Sequence, residues 1–162
     1  MATGTIILPI LAASLDASNP PGLDYSQNRP KLLFDDTTPE IAYWVFRMPS
    51  NYSSALTAKI QYSMASATAN EVEFEVSVMA VSDGDSQDLD SDSYDTANSG
   101  SATVPGTAGY LDEISISLSS NDSVAAGDWC AVKLARDADD GTNDDATGDA
   151  EVWAVSLEYT LE

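Results

Sequence analysis

The chain has 162 residues, 43% of them hydrophobic, with 27 acids against 6 bases, no histidine and one cysteine. One domain of this length buries a core without disulfides, and a net charge of −21 repels phosphate backbones and anionic lipid, which argues against nucleic-acid and membrane partners. The missing histidine excludes Ser-His and Cys-His nucleophile systems.

The first apolar run, Thr3 to Leu11, is broken by Pro9 and has no Lys or Arg before it, so it reads as a first strand rather than a cleaved leader. Its apolar character makes Ile6, Ile7, Leu8 and Ile10 candidate subunit contacts, and Pro9 suits a sheet edge. Residues 1–30 then form an N-terminal strand plus a Pro-rich loop, and the strand would extend a neighbouring copy's sheet. The alternative is a plain edge strand of its own domain. Residues 31–34 and 41–48 follow as strands, the second apolar on both faces and expected to be covered on both sides.

Period-2 alternation then becomes regular. Leu56, Ala58, Ile60, Tyr62 and Met64 alternate with polar residues, and Val72, Phe74, Val76 and Val78 face in against outward Glu71, Glu73, Glu75 and Ser77. Ile114, Ile116 and Leu118 repeat the pattern, residues 129–136 read as a strand holding Cys130, and Trp153, Val155, Leu157, Tyr159 and Leu161 close the chain as an inward set. Gly, Pro, Asn and Asp fill the pieces between, as turns require. About eight antiparallel strands within residues 1–162 predict an all-β fold, a single two-sheet sandwich of jelly-roll type.

Two acidic stretches follow strands. Residues 80–95 hold six aspartates, and residues 136–151 hold a second cluster. Neither has the spacing of an EF-hand. Asp137, Asp139, Asp140 and Asp149 are the candidate calcium ligands, because Gly141 and Gly148 permit a tight fold-back. The plainer reading is a hydrated loop that tolerates ions, with no required cofactor, and residues 80–95 as a loop that keeps the surface charged. The two stretches would pool their carboxylates only if they left the sandwich at one end. Glu71, Glu73 and Glu75 share one face, but their outward neighbours are Ser77 and Met79 rather than aromatics, so the face reads as solvated and no catalytic residue is assigned. Trp44, Trp129 and Trp153 lie in strand patterns and are expected in the core rather than as a sugar-stacking platform.

The C-terminal half resembles the β-sandwich proteins of tailed-phage virions over roughly residues 56–162. The matching residues are Ala126, Gly127 and Asp128 before a strand, Arg136 and Asp137 at its end, Gly148 and Asp149 after the acidic loop, and Tyr159 near the close. The resemblance implies a non-enzymatic capsid decoration or cement protein at the particle surface. Its implied partners are capsid or other virion proteins, and its implied state is a homo-oligomer, often a trimer. Avidity on a repeated lattice would then supply affinity. The alternative is a carbohydrate- or receptor-binding module of a phage tail or fibre.

Overall fold

Alternation decides which faces meet. Val72, Phe74, Val76 and Val78 on strand β7 (Glu71–Val81) and Cys130, Val132 and Leu134 on β10 (Trp129–Arg136) are buried. They face Ala58, Ile60 and Tyr62 of β6 (Tyr52–Met64) and Val155 and Leu157 of β11 (Ala150–Leu161), also buried. Phe74 touches rings from the opposite sheet edge-on, Phe34 at 5.9 Å and Tyr62 at 5.8 Å between centroids. Such edge-to-face pairs add to the hydrophobic gain of burial. One cluster of 33 buried residues forms the core.

The computed structural model describes all 162 residues. Its remaining strands are β1 (Thr3–Leu8), β2 (Ser14–Leu15), β3 (Gly22–Ser26), β4 (Arg29–Phe34), β5 (Ile41–Arg47), β8 (Asn98–Thr103) and β9 (Asp112–Ser117), with a 3-10 turn at Ile10–Ala12. One sheet runs β3-β4-β11-β6-β9 with β1 also on β11; the other runs β2-β5-β10-β7-β8. Every pairing is antiparallel. The fold is a two-sheet antiparallel sandwich of jelly-roll type.

Eleven strands stand where the sequence suggested about eight. The additions β2, β3 and β8 are short or built from Gly, Ser and Asn, residues that signal turns rather than strands. The first strand ends at Leu8, since Pro9 begins the 3-10 turn. On β5 the second face is covered only in part: Tyr43 packs on Tyr94, whereas Val45 is 61% exposed.

Register also separates the acidic loops. Because β7 and β10 are antiparallel neighbours, with Trp129 opposite Val81 and Arg136 opposite Phe74, the loops that follow them leave at opposite ends. Their carboxylates are not pooled. No helix is long and apolar enough to cross a membrane.

Candidate functional site

At one end of the sandwich the chain leaves β10 and folds back along β7. Asp137 donates its backbone N–H to the carbonyl of Glu73, and Asp145 and Ala146 donate theirs to Glu71. Asp144 and Asp145 return the contact, accepting the backbone N–H groups of Glu73 and Glu71. Arg136 anchors this arrangement. Its guanidinium is fully buried, pairs with both oxygens of Asp144, and donates to the carbonyls of Phe34, Ala146 and Gly148. A desolvated ion pair holds only when its remaining donors are satisfied in this way.

The fold-back gathers three carboxylates. Oxygens of Glu73, Asp137 and Asp140 lie within 4.8 Å of one another. Glu73 sits on the outward face of β7, yet it is only 7% exposed because the acidic loop covers it. Its Oε2 is buried and has no hydrogen-bond partner. Burial raises the Glu73 carboxyl; the Ser99 hydroxyl opposes that shift, and Asp140 and Glu75 add to it. Burial also pushes Asp137 up to about 7, helped by its hydrogen bond with Asp139 and by the charges of Glu75, Asp139 and Glu73. Asp140 moves the other way: it accepts the backbone N–H groups of Thr142 and Asn143 and the Asn143 amide, which favour its charged form.

Of the four aspartates picked from the sequence, Asp137 and Asp140 therefore meet, Asp139 stands beside Asp137, and Asp149 lies elsewhere, against Asp35 and Asp36. Glu73 was legible only as a solvated position. Its strand face pointed outward correctly, and the loop that buries it is a tertiary feature. Arg136 pairs with Asp144 and not with Asp137, its neighbour in the sequence.

Two grooves each contain a tryptophan. The larger, about 540 Å³, is lined by Trp153, Ala154, Leu11, Leu111, Pro30, Arg29 and Gln61 among others. A register shift in β11 between Val152 and Ala154 places it. Residues 150–152 alternate in one phase and residues 155–159 in the other, so the extra residue leaves Trp153 on the outer face. A chain of contacts then fixes the ring. Its Nε1–H donates to Ser63 Oγ at 2.9 Å, Ser63 donates to Glu151, and Glu151 pairs with Lys31, whose ammonium lies 5.2 Å from the indole centroid.

The second groove, about 430 Å³, lies at the other end of β10, where Trp129 meets Arg47, Ser82, Asp83 and Leu89. Trp44 alone of the three tryptophans is in the core, at 2% exposed; Trp129 and Trp153 are half-buried groove walls. Neither groove contains two carboxylates.

The N-terminal segment is divided. Leu8 and Ile10 belong to the chain's own core, Ile6 packs against it, and Ile7 is 66% exposed. β1 pairs with β11 of the same chain, Ile6 opposite Leu157, and its outer edge pairs with nothing. Leu8 and Ile10 are thus unavailable as subunit contacts, and Ile7 is the one fully outward residue of the four.

No protein-family model matches the sequence, and no curated protein matches it. Among solved structures the chain is similar to the C-terminal family 6 carbohydrate-binding module of the laminarinase LamC from Zobellia galactanivorans. The identity is 14% and the TM-score 0.49, over 95% of this chain and 98% of that one. It is similar to a family 35 carbohydrate-binding module from Clostridium thermocellum at 11% identity and a TM-score of 0.47, over 95% of this chain and 97% of that one. A family 15 xylan-binding module shares 15% identity at a TM-score of 0.46, over 99% of each chain.

Proposed function

We propose that the protein is a non-catalytic binding module that holds a neutral carbohydrate against Trp153. The observation that carries this reading is the groove around a tryptophan whose rotamer is fixed before any ligand arrives. The flat indole offers a surface for the C–H face of a sugar ring. Beside it Arg29 supplies hydrogen-bond donors and Gln61 an amide, the groups that ring hydroxyls need. Because the ring is already held by Ser63, little side-chain entropy is lost on binding. The net charge of −21 selects against acidic polysaccharides. A groove lining without carboxylates supplies no acid–base pair for hydrolysis, so the ligand is bound and released unchanged.

Affinity electrophoresis against a panel of soluble neutral polysaccharides tests this. The wild-type protein is retarded by at least one of them, and Trp153→Ala runs as it does in plain gel.

A second reading is favoured by one observation, the unpaired outer edge of β1 with exposed Ile7. It is the virion decoration role implied by the sequence resemblance, in which copies or capsid proteins meet along that edge. Light scattering on a sizing column then gives a stable oligomer, which Ile7→Lys dissociates; a monomer at all concentrations removes that support.

A further inference from the structure

We propose that Glu73, Asp137 and Asp140 form a binding site for one calcium ion that fastens the 137–149 loop onto β7. Three observations converge on it. The three carboxylates present oxygens within 4.8 Å of one another, a spacing that one ion with calcium–oxygen distances of about 2.3–2.6 Å can bridge. Glu73 is more than nine-tenths buried, and its Oε2 has no partner within the protein, although a buried carboxylate oxygen ordinarily has one. Asp140 is held in place by the backbone N–H groups of Thr142 and Asn143, so one ligand is oriented in advance.

The donor chemistry selects the ion. All ligands are hard oxygens, with no thiolate or imidazole, which suits calcium rather than zinc or copper. Three carboxylates drawn from a strand and a loop make an irregular, adaptable shell, and water completes the coordination. Magnesium, which keeps most of its own water and demands an octahedron, fits such a shell less well. Without the cation, three acids crowd one spot, the Glu73 carboxylate buried and those of Asp137 and Asp140 partly exposed. With it, their repulsion becomes the attraction that holds the loop over β7, next to the Arg136–Asp144 anchor.

The test uses the full chain freed of metal by chelation, with its melting midpoint followed at fixed ionic strength as calcium or magnesium chloride is added. Calcium at about one hundred times its dissociation constant raises the midpoint by about 5–10 °C, and magnesium raises it less. Titration calorimetry gives one calcium site per chain. In Glu73→Gln the calcium shift and the binding heat disappear, while the metal-free midpoint stays level or rises because a buried charge has gone. Should that variant fail to fold, Asp137→Asn is read in the same way. An absent calcium shift, or one that persists in Glu73→Gln, overturns the site and reduces the effect to screening of a highly charged surface.

Discussion

Asp149 and Asp144 lie five residues apart and their carboxyls meet different surroundings. Asp144 is fully buried but meets Arg136. Asp149 is partly buried and faces Asp35 and Asp36, so burial first, and those charges next, raise its carboxyl. Its folded-state proton is therefore held more tightly than in the unfolded chain. An acid raised in this way costs stability once pH rises above its unfolded value and costs none below it. Asp149→Asn should accordingly raise the melting midpoint by a few degrees at pH 7 and leave it nearly unchanged at pH 3.5, as differential scanning calorimetry would show. A midpoint lowered at pH 7 would mean that the charge is used. Other aspartates shape the backbone: Asp16, Asp35, Asp95 and Asp128 accept backbone N–H groups one to three residues away, and Asp122 accepts that of Ala80 on β7. Aspartate density in the sequence thus marks turn construction more than metal chemistry, and the triad emerges only where the fold buries a glutamate among them.

At the scale of elements, legibility followed regularity. On β9 the alternation is unbroken, and on β7 the inward set Val72, Phe74, Val76 and Val78 was readable as written, although Glu73, Ser77 and Met79 on its other face are buried too. On β11 the extra residue at the register shift inverts the phase, so a simple period-2 reading sends Trp153 inward when it belongs outside. β3 and β8 were hidden because Gly, Asn and Ser carry turn signals even when a neighbouring strand recruits them. The acidic loop after β10 depends on an anchor that sequence proximity misplaces. Arg136 continues the inward phase of Cys130, Val132 and Leu134, and it therefore reaches a partner eight residues away rather than the next one. Removing that partner strands a buried guanidinium. Asp144→Ala should cost about 3–5 kcal/mol in urea unfolding, whereas a loss below 1 kcal/mol would show that the three carbonyls alone satisfy Arg136.

For the whole molecule, charge and shape divide the labour. The acids repel other polyanions, screened beyond about 8 Å at physiological salt, so in the proposed binding role recognition works at contact range through shape, stacking and hydrogen bonds. The sandwich supplies rigid walls on which a bulged strand displays one tryptophan and a strand end displays another. The most direct measurement is a neutral-glycan array probed in parallel with wild type, Trp153→Ala and Trp129→Ala. The account predicts a defined set of glycans bound by wild type and by Trp129→Ala and lost with Trp153→Ala. Binding that survives Trp153→Ala, or an array with no bound glycan at all, would contradict it.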